Sequence, residues 1–320
     1  MEHLIDESYY QQALSNTGET YSEPDIVFMF RICFAACGII FNLLLLFLFL
    51  RRRMSGVQQK SVYCFLESLI FANLVSSVGI IPYPKLSDIP DDGMGSLYCL
   101  FVFYPMLFWI GNIAGVFSLT CITLDRYVYV VHPKRHLRYF TKSNRLSRFV
   151  ILCIWIVAIL MNLAAVIVVS ADDDNCTVEW VTTNNFKVFS AFIFLTLYVI
   201  PTIFHAVCYY RIRNKTKKSD AYALDTILSG NYPELTMLSR SSDITSFFIL
   251  SLLFVLCWGQ DQLFFLLLNL NVISTSLVLS SYRHVTTIFA YSLAAINPIV
   301  ILLSNRQMKR AALESGNGLM

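Results

Sequence analysis

Residues 119–133 read LTCITLDRYVYVVHP. The apolar run that arrives at this stretch begins near residue 97 and ends on two adjacent charges, Asp125 and Arg126, with Tyr127 after them. Pro133 then opens a basic segment. About 20 predominantly apolar residues cross the hydrocarbon core of a bilayer, so a run of this length reads as a spanning helix. Charges that stop it mark the water interface, where Arg snorkels to lipid headgroups. The third run is longer than one span needs, so its inner end is expected to project into the cytoplasm.

Working outward, comparable runs lie at about 26–50, 61–84, 97–130, 146–170, 186–211, 243–270 and 282–304. The chain of 320 residues is 56% hydrophobic and 14% charged, with mean hydropathy +0.60. Soluble domains carry about 25% charged residues, and the deficit here is concentrated in those runs. The fold expected is an all-α membrane protein, a bundle of seven transmembrane helices. Residues 26–304 form the membrane domain, 1–25 an outer tail, 213–242 the third inner loop and 305–320 a short inner tail. MEHLIDESYY is acidic and lacks the apolar core of a cleavable signal peptide.

Basic residues set the orientation. Arg51, Arg52, Arg53 and Lys60 fill the first connection, Lys134, Arg135, Arg138, Lys142, Arg145 and Arg148 the third, and Arg211, Arg213, Lys215, Lys217 and Lys218 open the fifth. The alternate connections are acidic, from Glu2 through Asp88, Asp91 and Asp92 to Asp172, Asp173, Asp174 and Glu179. Loop Lys and Arg favour the cytoplasm, so the N-terminus is expected outside and the C-terminus inside. The basic loops suit anionic lipid headgroups and an intracellular partner, not nucleic acid. Seven of the nine cysteines lie in apolar helices, while Cys99 and Cys176 fall on the outer side, where an oxidising exterior favours their pairing. Asn175-Cys176-Thr177 is also a glycosylation acceptor sequence, which a bridged Cys176 would crowd.

With Asp125-Arg126-Tyr127 ending the third run, the sequence resembles the rhodopsin-like G-protein-coupled receptors. The resemblance extends to Asn42, Trp155, Pro201, Tyr209, Cys257-Trp258 and Asn297-Pro298, each in the corresponding run. It implies a cell-surface receptor whose Arg126 is restrained by Asp125 until a heterotrimeric G protein engages it, with Pro133, Tyr209, Trp258, Asn297 and Pro298 in the same switch. A buried charge pair is costly to break without a new partner, which makes such a pair a two-state element. Departures from the family pattern matter equally. Arg240 stands where many relatives carry an acid that restrains the sixth helix, so appreciable ligand-independent signalling is expected. Asn73, Gly115 and Leu293 replace the groups that bind sodium. Tyr is missing after Asn297-Pro298, and Gln260 replaces the usual proline of the sixth helix. Cys99 stands two residues further from Arg126 than in most relatives, an offset that a kink at Pro105 would absorb.

For the ligand, the seventh run SYRHVTTIFAYSLAAINPIVILL has no Lys for a retinal Schiff base, and YPMLFWIGN has no acid for an amine. The candidate site comprises Tyr104, Phe108, Asp261, Gln262, Phe265, Arg283 and Tyr291. Asp261 follows Trp258 by three residues and so shares its helix face, and an ionisable group within a membrane is a functional candidate. The alternative for Asp261 is a salt bridge to Arg283. Cys-Trp-x-x-Asp-Gln is similar to the Cys-Trp-x-Pro-Asn-Gln run of many invertebrate peptide receptors. Thirteen outer acids attract positive ligands, so a cationic or amidated neuropeptide is expected. Arg283 and His284 keep a fatty acid or other small carboxylate as the second reading. Neither a cofactor nor a metal is expected, since His205 and Asp261 on separate helices are too thin a set for metal-dependent catalysis. A transporter would show repeat symmetry, which the halves lack. Tyr9, Tyr10 and Tyr21 suit sulfation, and Arg240-Ser241-Ser242 suits a kinase.

Overall fold

The computed structural model describes residues 25–54, 61–82, 90, 92–103, 105–139, 144–172, 175–178, 184–228, 236–273 and 281–304. Seven helices in it are long and apolar enough to cross a membrane: Ile26–Arg51, Ser61–Gly79, Met106–Val131, Arg145–Leu163, Lys187–Lys217, Thr245–Asn269 and Tyr282–Leu303. They are called the first to seventh spans, and inner and outer name the sides that the sequence expects in the cytoplasm and outside the cell. The side chains of the outer tail, of Arg240-Ser241-Ser242, of the inner tail and of Tyr104 lie outside the described residues.

The third span sits at the centre, packed against the second, fourth and fifth spans and against the inner part of the sixth. Its approach to the second span is close because glycines line the seam. A Cβ on Gly79 would lie 2.2 Å from the backbone nitrogen of Phe108, and one on Gly111 would lie 2.6 Å from the Ala72 carbonyl. Peripheral faces are apolar instead. Phe149, Leu152, Ile156, Leu160 and Leu163 of the fourth span recur at helical spacing and are all exposed. In water such a stripe is a liability; against lipid tails it costs nothing, and the polar residues turn inward.

Part of the surplus length of the third run falls at its outer end. Gly93–Tyr98 is a short helix capped by Asp92, whose Oδ1 accepts from Met94 N at 2.8 Å and Gly95 N at 3.0 Å. A π-helical turn, Cys99–Phe103, follows, and the spanning helix starts afresh after Pro105, with the inner end closing at Val131. Pro105 therefore breaks the run where a kink was expected, because it has no N–H with which to continue the ladder. One element outside the all-α description appears. Val169–Asp172 (β1) and Asn175–Val178 (β2) form an antiparallel hairpin that pairs Ala171 with Cys176, and both strands pack against the π-turn that begins at Cys99.

Two spans are interrupted within the membrane. In the fifth, the π-turn Leu195–Val199 precedes Pro201, and the Ile200 N–H reaches back to the Leu195 carbonyl. In the sixth, the π-turn Phe254–Trp258 separates Thr236–Leu253 from Gly259–Asn269, with no proline involved. Such turns loosen a helix by one residue and recur at functional positions. This is the irregular segment of the sixth span. Gln260, in the place of the missing proline, merely donates to the Leu256 carbonyl at 3.4 Å.

Candidate functional site

At the inner end of the third span Asp125 is fully buried, beside an Arg126 side chain that is 13% exposed. Arg126 donates to Asp125 Oδ2 through Nη2 at 2.9 Å and through Nε at 3.2 Å. Asp125 Oδ1 accepts from Ser61 Oγ at the head of the second span and lies 3.2 Å from His136 Nε2. The guanidinium also sits 5.3 Å from the ring centre of Tyr129 and 5.9 Å from that of Phe247 on the sixth span. Pro133 suits the first position of the helix Pro133–Tyr139, and that helix carries His136 back beneath Asp125. Tyr127 packs edge-on to His132 at 5.7 Å, and Tyr209 lies 4.5 Å from Phe248. His136 and Ser61 are functional neighbours that the sequence reading missed. A His three residues after Pro133 on a two-turn helix was the available signal.

Midway through the bundle, three amides meet. Pro298 lies inside the seventh-span helix and lacks an N–H, so the Ala294 carbonyl loses its helix partner. Asn42 Nδ2 supplies the replacement at 3.0 Å while also donating to Gly38 O at 2.7 Å. Asn297 Nδ2 donates to Asn73 Oδ1 at 3.2 Å. One proline is thus repaired by the first span.

Above them lies the floor of the outer half. Tyr291 of the seventh span packs edge-on to Phe108 at 4.7 Å, Phe108 meets Trp109 at 5.1 Å, and Trp109 meets Trp258 at 5.8 Å. That row of rings joins the seventh, third and sixth spans. The Arg31 guanidinium lies 5.9 Å from the Tyr291 ring. Asp261 is 1% exposed, and its Oδ1 pairs with Arg283 Nη1, whose guanidinium also stands 5.2 Å over Phe264. The salt bridge weighed as the alternative for Asp261 is therefore formed. Three buried polar atoms on this face have no partner among the described residues: Asp261 Oδ2, Gln262 Oε1 and Trp258 Nε1. Phe265 departs from the expected cluster. It packs with Met106, Ile110 and Ile193 at the third and fifth spans, because it lies a further 100° around the helix from Phe264.

Comparison with known proteins gives the family. The sequence profile described as 7 transmembrane receptor (rhodopsin family) matches residues 41–300, most of the chain. The chain belongs to the rhodopsin family of seven-transmembrane receptors. Human galanin receptor type 1 is 22% identical over 288 residues, 86% of this chain and 77% of that protein. A zebrafish melatonin receptor type 1B-B is 26% identical, over 77% of this chain and 69% of its own. Mouse neuromedin-U receptor 2 is 26% identical over 62% of this chain and 52% of its own.

The receptor is thus a multi-pass protein of the plasma membrane and not an enzyme. Among the described residues no group of three His, Cys, Asp or Glu is placed to hold a metal ion. Cys99 is disulfide-bonded, whereas Cys33, Cys37, Cys64, Cys121, Cys153, Cys208 and Cys257 are free thiols. The receptor's membrane cysteines therefore act as small packing residues.

Proposed function

We propose that this receptor binds a peptide from outside the cell and, in response, activates heterotrimeric G proteins on the inside. The observation that carries the proposal is the clamp on Arg126. A guanidinium held by one fully buried carboxylate, itself shared with Ser61 and His136, is a charge pair that opens only when another partner replaces it. Relatives named for galanin and neuromedin-U favour a peptide as the outer ligand. In this reading the N-terminus and the β1–β2 hairpin face outward, Cys99 pairs with Cys176, and Asn175 beside it stays unglycosylated. The basic connections face anionic lipid and the G protein.

The ligand floor comprises Trp258, Asp261 and Gln262 together with Phe108 and Tyr291. Arg283 already balances the charge of Asp261, so a cationic ligand group is not required there. The free oxygen of Asp261 suits an uncharged N–H donor as well. Because Arg283 is committed to Asp261, the small-carboxylate reading loses its main cation. The test is nucleotide exchange on purified G proteins, with receptor in lipid nanodiscs and a panel of amidated and free-acid peptides. Stimulation by at least one peptide, weakened about tenfold or more in potency by Asp261→Asn, is the expected result. Stimulation that Asp261→Asn leaves untouched refutes the floor; none by any peptide, with response to fatty acids, refutes the peptide.

A further inference from the structure

His205 lies on the fifth span about one turn inside Pro201 and is 3% exposed. Its Nδ1 is 2.9 Å from Thr123 Oγ1 on the third span and 3.1 Å from Ser251 Oγ on the sixth. Each hydroxyl owns one proton, and each spends it on its own helix. Thr123 donates to the Leu119 carbonyl at 3.0 Å and Ser251 to the Phe247 carbonyl at 2.9 Å. Both hydroxyls therefore accept, so Nδ1 carries the ring proton and donates between them. Nε2 is left buried without a partner among the described residues. One imidazole N–H thus ties three spans at a single level.

The tie has a place in the mechanics of the sixth span. Ser251 precedes the π-turn Phe254–Trp258 by one helical turn, and the His205 ring packs at 6.0 Å from Phe254, the first residue of that turn. On the outer side of the turn, Tyr198 of the fifth span covers Gly259 so closely that a Cβ there would meet its ring atoms at 2.4–2.5 Å. The fifth span therefore contacts the sixth both below and above this turn. Arg240, meanwhile, is itself no carboxylate that could hold Arg126, and the side chain of Asp243, one turn further on, lies outside the described residues.

We infer that His205 is a positioning residue of the activation switch: its N–H latches the inner half of the sixth span to the third and fifth in the resting arrangement, with the π-turn as pivot. This rests on the proposed function, in which G-protein engagement moves that inner half. Opening the pivot separates Ser251 from His205 while the bond to Thr123 stays within the static pair.

The test uses full-length receptor in lipid nanodiscs, with Ser251→Ala, Ser251→Thr, His205→Phe and wild type. Two quantities are read without ligand: nucleotide exchange on a panel of purified G proteins, and backbone hydrogen exchange across residues 244–258. Ser251→Ala removes one acceptor and leaves the helix bond pattern intact, so basal nucleotide exchange rises roughly fivefold, the worth of one net hydrogen bond. Hydrogen exchange of the segment rises with it, His205→Phe gives a larger rise, and Ser251→Thr, which keeps the hydroxyl, stays at the wild-type level. A merely structural role would not be rescued by Thr in both readouts. Unchanged hydrogen exchange in Ser251→Ala and His205→Phe overturns the latch. If hydrogen exchange follows the expected order while no G protein responds to any variant, the latch stands and the coupling reading fails.

Discussion

Removing one partner of the Asp261–Arg283 pair should have very unequal consequences depending on which partner goes. Asp261 is 2% exposed at its side chain and Arg283 25%. Arg283→Met leaves a carboxylate sealed among Trp258, Phe264 and Gln262, already with one oxygen unpartnered. Stranding a buried charge costs about 3–5 kcal/mol. Asp261→Asn instead leaves the guanidinium a quarter exposed and still stacked over Phe264. Solvent screens that loss, so the cost is about 1 kcal/mol. At about 2–4 °C per kcal/mol, Arg283→Met lowers the melting temperature of purified receptor by roughly 10 °C and Asp261→Asn by only a few degrees. The double variant Asp261→Asn/Arg283→Met restores most of the difference, since no bare charge remains. Thermal unfolding followed by intrinsic tryptophan fluorescence reads all three. Equal losses from the two single variants, or a double variant as unstable as Arg283→Met alone, would refute the burial argument.

Other expectations follow from the same coordinates. Asp125→Asn weakens the grip on Arg126 and should raise basal nucleotide exchange several-fold, with peptide affinity rising in parallel in a binding assay. Gly79→Ala forces a methyl to 2.2 Å from the Phe108 backbone nitrogen and should cost about 3 kcal/mol, seen as lost thermal stability and surface expression. Gly259→Ala meets only the movable ring of Tyr198 and should cost less. Replacing sodium with a bulky organic cation should leave agonist affinity unchanged, because Asn73 offers one amide oxygen, already bonded to Asn297, where a hard cation needs several.

The seven spans were legible because lipid demands about 20 apolar residues at a stretch, a signal that no local propensity disturbs. The Asp125–Arg126 pair was legible for a related reason, as charge at the end of such a run has few explanations. Details set by backbone irregularity were not. Pro105 announced a disturbance in the third run, but whether it kinks or breaks depends on the hairpin and the turn at Cys99 packed around it. The irregular turn of the sixth span was hidden altogether: a π-turn at Phe254–Trp258 has no signature residue, and Gly259 beside it makes sense only once Tyr198 is seen on top of it. Asp261 stood out as an acid in an apolar run, yet two readings of it remained until Arg283, 22 residues away, was found at its side. The expectation of appreciable ligand-independent signalling drew on the missing acid at Arg240. The bonds of Asp125 to Ser61 and His136, and of His205 to Thr123 and Ser251, are restraints of another kind, assembled from residues on four spans and one loop helix.

The account turns on Arg126 as the group that a G protein takes over from Asp125. Its most direct measurement is ligand-stimulated nucleotide exchange by nanodisc receptor with Arg126→Ala, set beside wild type at matched peptide occupancy. The account predicts exchange reduced at least tenfold, about 1.4 kcal/mol or more of lost coupling, while the peptide still binds. Wild-type exchange rates from Arg126→Ala would contradict it.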